Sequence, residues 1–166
     1  MRAKTGVAVL FLGPVSLLAG CLPRTDPGCP TCPGGGAAVR VELSFETVDQ
    51  GTSSGIRDPR QVVVRDAETW AALWYQHTTG ADPRPPVPGV DFTEEIVAAV
   101  FLGEKPTGGY AVEITRILLR SDRMVVRAGL SQPGADDVVS QALTHPFHIV
   151  RVTRTELPVE FETLEF

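Results

Sequence analysis

Three cysteines and three histidines are the residues of this chain with the most chemistry to offer. Cys29 and Cys32 enclose Pro30-Thr31 in a C-x-x-C spacing, in which one thiolate can attack and the other resolve. A thiol oxidoreductase sets that pair after a strand, with a helix starting on the first cysteine. Pro33 and Gly34-Gly35-Gly36 follow here instead. The pair reads as a small disulfide, natural in an oxidising compartment, with a redox site as the alternative. His145 and His148 form an H-x-x-H across Pro146. Residues three apart on extended backbone point to opposite faces, so shared metal ligation is not expected and both read as partly exposed. A serine hydrolase needs its nucleophile held against a histidine that an acid orients. No G-x-S-x-G elbow is present, and the sequence alone assigns no partner to His77. Glu94-Glu95 and Asp136-Asp137 lack the ligand spacing of a calcium loop and read as solvated charge. No catalytic residue, metal or cofactor is expected, and the chain reads as non-enzymatic.

Cys21 belongs to a different chemistry. Arg2 and Lys4 precede an apolar run from Val7 to Leu18, followed by Leu18-Ala19-Gly20-Cys21. A basic head, a short apolar core and small residues before a cleavage point make a secretory signal. A bilayer span needs roughly 20 apolar residues, more than this run supplies before Gly13-Pro14 interrupts it. The four residues ending at Cys21 resemble the bacterial lipobox, which implies lipidation of the cysteine thiol. One acyl chain holds only marginally and two or more hold firmly, so the implied anchor is stable. The expectation is a signal peptide over 1–20, a lipid-anchored tether over 21–38 and a globular domain over 39–166, in the bacterial envelope and facing periplasm or exterior. The net charge of −5 becomes −7 once Arg2 and Lys4 are removed, and no basic run remains. Such a chain is unsuited to nucleic acid.

The elements that must position any site begin after a spacer rich in proline and glycine. Val39, Val41, Leu43 and Phe45 alternate with polar residues, the period of a half-buried strand. Gly51 to Gly55 reads as a loop and Gln61 to Arg65 as a strand. Asp66 can cap a helix running to about His77, with Ala67, Trp70, Leu73 and Trp74 on one face. That stripe reads as core. Ile96 to Leu102 is a continuous apolar run, suited to a strand covered on both faces. Tyr110–Leu119 and Met124–Leu130 flank a turn at Ser121-Asp122-Arg123 and suggest a hairpin. Phe147–Thr153 and Val159–Phe166 complete the set. The fold class is α+β, mostly β: an antiparallel sheet or sandwich of about seven strands with one amphipathic helix.

Three stretches carry a family resemblance. They are Ser54-Gly55-Ile56 through Trp70-Ala71-Ala72-Leu73-Trp74, Gly103 through Ile114 with its core Pro106-Thr107-Gly108-Gly109-Tyr110, and Gln141 through Val150. Together they resemble the PrcB family, named for a subunit of a surface protease complex. The resemblance implies a role in assembling or stabilising such a complex through protein contact, with an envelope protease as partner. It carries no catalytic residues. Pro106-Thr107-Gly108-Gly109-Tyr110 is also similar to the first binding loop of chagasin-like protease inhibitors, N-P-T-T-G-[YF], although Lys105 and Gly108 depart from it. That likeness implies an inhibitor as the alternative function.

Lys105, Pro106, Thr107, Gly108, Gly109 and Tyr110, with Thr144, His145 and Pro146, are thus the candidate partner-binding residues. Gly108-Gly109 permits positive φ, so the same stretch also reads as a hairpin connection with a purely structural role. The lipobox gives the first prediction. Cys21→Ala should leave the precursor unlipidated and uncleaved before residue 21. Mass spectrometry of the mature N-terminal peptide checks this, and a free thiol on wild-type Cys21 would contradict it.

Overall fold

The alternating run at the start of the domain does not make one strand. In the computed structural model, which describes residues 40–165, it divides at Ser44. Cys21, Cys29, Cys32 and the tether lie outside the described residues. Strand β1 (Val41–Leu43) joins one sheet, and β2 (Phe45–Gly51) joins the other. This division makes eight strands of the expected seven or so, and β2 takes in Gly51. The remaining elements are β3 (Arg60–Val64), α1 (Ala67–His77), β4 (Glu95–Phe101), β5 (Ala111–Leu119), β6 (Met124–Ser131), β7 (Phe147–Thr153) and β8 (Val159–Glu165). The first sheet has the order β1-β5-β6-β8 and the second β2-β7-β4-β3. All pairs are antiparallel except β6 with β8, which run parallel. Arg123 and Arg127 each reach a carboxylate of β8, Glu160 and Glu162, at 2.7 Å. Among the described residues no helix is long and apolar enough to cross a membrane.

The second sheet is covered on both faces, which explains the unbroken apolar run of β4. Ile96, Ala98 and Val100 face the first sheet and meet Ile114, Met124 and Val126. Val97, Ala99 and Phe101 face α1 and meet Trp70, Leu73 and Trp74. The fold is therefore three layers, helix on sheet on sheet. Asp66 caps α1 by accepting the Thr69 N–H at 2.8 Å, and Glu68 sits in the first turn. The buried stripe is Trp70, Leu73, Trp74 and His77; Ala67, expected on it, is exposed at the first position of the helix. Both indoles keep their N–H groups satisfied. Trp70 donates to Pro88 O at 2.9 Å and Trp74 to Pro85 O at 3.2 Å, which binds the proline-rich connection to the helix.

One buried polar residue joins the two sheets. β1 pairs only with residues 117–119 of β5, so the stretch before them has no strand on that side. Side chains of the second sheet meet its backbone instead. Gln50 Nε2 donates to Val112 O at 3.1 Å, and Ile114 N–H donates to His148 Nδ1 at 2.7 Å. Nδ1 therefore carries no proton, and Nε2–H donates to Thr47 Oγ1 at 2.9 Å. A β-bulge follows between Ile114 and Arg116. His148 is 2 % exposed, so the expectation of a partly exposed residue is corrected: its place on β7 turns it into the space between the sheets.

Burial pushes the His148 imidazole down from its ordinary range, with the Glu113 charge opposing weakly. The unfolded chain thus binds a proton that the folded chain resists. The resulting stability is complete above the unfolded value of about 6.5 and is lost as pH falls below it. Thermal melts from pH 7.5 to 5 should show the midpoint falling with acid. In His148→Gln the fall over that window should be smaller, although its melting point at pH 7.5 is lower. Equal slopes in the two proteins would contradict this.

Candidate functional site

Three segments converge at one end of the sandwich. Residues 52–57 follow β2, residues 103–110 join β4 to β5, and residues 138–146 lead into β7. Lys105 and Thr144 exchange both backbone bonds, at 2.7 and 3.0 Å. Gly108 N–H donates to Ser140 O at 2.9 Å, and Thr144 Oγ1 donates to Thr107 O at 2.8 Å. His145 N–H donates to Thr52 O, and Glu104 N–H to Arg57 O. The sequence-derived candidates Lys105–Tyr110 and Thr144–Pro146 are therefore held side by side. They do not form a hairpin connection. β4 and β5 lie in different sheets, so residues 103–110 cross between layers. Gly103 has φ +69°, and a side chain there would meet Arg57 O at 2.7 Å; Gly109 has φ +83° against Pro133. Gly108 keeps ordinary φ.

The face these segments present is mixed. Lys105 Nζ lies 5.5 Å from the centre of the Tyr110 ring. Thr107 and Tyr110 are half-buried and Pro146 is buried, whereas Val138 is 103 % and Leu143 61 % exposed. Two aliphatic side chains in water on one short segment stand out from the scattered exposure usual in soluble proteins. Asp136 and Asp137 precede them; Asp137 accepts the Gly134 N–H at 2.7 Å and so serves its own turn.

Beside this face lies a cavity of about 680 Å³, lined in part by Asp49, Ser54, Arg57, His77 and His145. His77 ends the buried stripe of α1 and touches aromatic rings, with Phe147 edge-on at 4.3 Å. Its Nε2 lies 3.0 Å from Asp49 Oδ2, and its Nδ1 2.9 Å from Ser54 Oγ. A carboxylate only accepts, so Nε2 carries a proton. In the neutral ring Nδ1 then accepts from the Ser54 hydroxyl, giving a continuous path from serine to histidine to aspartate. Ser54 Oγ also accepts the Ile56 N–H at 3.1 Å. His145 and Glu104 stand 3.4 Å apart nearby. Among the described residues no three His, Cys, Asp or Glu side chains gather to hold a metal ion.

The serine loop is clamped onto the helix end. Gly55 N–H donates to His77 O at 2.7 Å, while Trp74 O accepts from Thr78 N–H and from the Thr78 hydroxyl. Carbonyls that a helix C-terminus leaves unpaired are thus satisfied by the loop and by two threonines, the second being Thr79 on Tyr75 O. The sequence pattern missed this cluster. His77 lay within reach, three residues after Trp74 on the helix stripe, but nothing in the spacing of Asp49 and Ser54 pairs them with it.

Residues 96–153 match the family described as PrcB C-terminal. The PrcB-like resemblance is borne out over that span, which runs from β4 through β7 and contains the P-T-G-G-Y segment, Thr144–Pro146 and His148. Ser54–Trp74 lies before it. No curated protein and no solved structure matches the chain. The chagasin-like likeness gains no support from these findings.

Gly55 supplies the prediction. A Cβ at this position would lie 2.4 Å from Gln76 O and 2.8 Å from Thr79 Cβ. The obstacle is backbone, so the loop must lift from the helix. Gly55→Ala should destabilise the domain by about 1–3 kcal/mol. Urea unfolding measures this, and an unchanged midpoint would show that the clamp carries no stability.

Proposed function

We propose that this chain is a lipid-anchored envelope protein whose PrcB-like domain works by contact with a protein partner, a protease complex. The observation that carries this reading is the joined loop face. The segment most characteristic of the family is bonded to the one that exposes Val138 and Leu143. Aliphatic side chains at such a face gain on association because their apolar area leaves water, at about 25 cal/mol per Å². The matched family supplies the class of partner, and the lipobox resemblance at Cys21 supplies the location. Lys105 sits over the Tyr110 ring, Pro106 fixes φ beside them, and the bonds of Thr107, Gly108 and Thr144 join the two segments.

The contact reading separates stability from binding. Val138→Ser with Leu143→Ser removes the exposed methyl groups from positions that support no core, so melting should shift by the equivalent of under about 0.5 kcal/mol. Recovery of a protease in crosslinked pull-downs from membranes should fall severalfold. Thr107→Ala should leave both unchanged, since its tie to Thr144 is through the backbone carbonyl. Undiminished protease recovery by the double variant would overturn the reading. A recovered protease that is silenced by the wild-type domain would point to an inhibitor instead.

A further inference from the structure

We propose that Ser54 is an acylatable nucleophile, activated by His77 and Asp49, that acts on small acyl esters in the cavity it lines. The parts stand in the order that nucleophilic catalysis needs. The Ser54 hydroxyl lies 2.9 Å from Nδ1, within the reach of a general base, and Asp49 fixes the ring through Nε2 at 3.0 Å. The ring is turned the other way from the Ser-His-Asp template, with Nδ1 on the serine and Nε2 on the aspartate, and the unprotonated Nδ1 is the base. The aromatic wall of Trp74, Phe101 and Phe147 holds the imidazole in place, with His77 4 % exposed. Asp49, 39 % exposed, opens to the cavity and to solvent.

The surroundings suit an acyl group. A cavity of about 680 Å³ is within the common range for a small-molecule site. Ser53 and Ser54 both line the cavity, and their N–H groups, which make no hydrogen bond among the described residues, are the donors this proposal assigns to a developing oxyanion. Gly55 N–H and Ile56 N–H are already engaged, by His77 O and by Ser54 Oγ itself. Arg57 also lines the cavity and makes no ion pair among the described residues, so an acyl group carrying a carboxylate is favoured. In the reaction, Ser54 Oγ bonds to the ester carbonyl carbon while its proton passes to Nδ1. The C–O bond to the alcohol breaks, and the imidazolium returns the proton to the departing oxygen. Water, deprotonated by the same nitrogen, then cleaves the acyl-serine and restores the hydroxyl.

The test is labelling of the intact protein by a fluorophosphonate, read by intact mass and peptide mapping. A single adduct on Ser54 is expected. The labelling rate should fall about a hundredfold in His77→Gln, the scale of a lost general base, and by less in Asp49→Asn. Hydrolysis of 4-nitrophenyl monosuccinate should exceed that of the acetate ester, and Arg57→Gln should remove the difference. No adduct on the wild-type protein, an adduct on another serine, or an equal rate in His77→Gln would each overturn the proposal. The wild-type measurement decides even if Ser54→Ala fails to fold. The contact reading is judged by protease recovery and this one by an adduct on Ser54 of the isolated protein, so the two readings stand or fall separately.

Discussion

An imidazole that must stay neutral joins the two sheets. His148 accepts the Ile114 N–H on one ring nitrogen and donates to Thr47 from the other, so each nitrogen is committed to a different strand. A side chain without that donor and acceptor pair would leave a buried amide unpaired, at a cost of about 1–3 kcal/mol. The shortness of β1 creates the need, because it leaves the first part of β5 with β6 on one side and no strand on the other. The packing of Ile114 on Val150 and Val152 then depends on a hydrogen bond from outside its own sheet.

The second histidine repeats this logic at the opposite face. His77 also commits both nitrogens, one to the strand β2 and one to the loop after it, and its backbone carbonyl takes a third bond from Gly55. The helix is thereby fixed to the second sheet by polar bonds as well as by the apolar area of Trp70 and Trp74. Because residues 52–57 also receive bonds from residues 145 and 104, the helix end, the cavity and the loop face form one connected unit. A displacement of the loop face reaches Ser54 through a single peptide segment.

Much of this architecture was legible in the sequence, and the reasons differ by element. Asp66 and the indole spacing fixed the start and the face of α1, since capping and helical period are local properties. The unbroken run Ile96–Phe101 announced a strand covered on both sides. The parallel pairing of β8 was not legible, because β-strand periodicity carries no direction. Ser44 gave no sign of the change of sheet, since a strand that passes between layers keeps its alternation. Of the candidate site, the juxtaposition of Lys105–Tyr110 with Thr144–Pro146 arises from backbone bonds between segments far apart in the chain. The Asp49, Ser54 and His77 cluster is likewise a product of topology. His148 looked like half of a surface H-x-x-H, and only the bare stretch of β5 explains why it is buried.

The division at Ser44 has a mechanical side. Tension on the chain ahead of Val41 acts on β1 at the edge of the first sheet, where three residue pairs bind it to β5. Such a load has only those three pairs to break. It then meets β2, whose register with β7 extends from Phe45 to Gly51 in the other sheet. The first strand can be drawn out as slack while the layers holding the cavity and the loop face keep their arrangement. A domain pulled from its N-terminal side would lengthen by a few residues before its working surface felt the force.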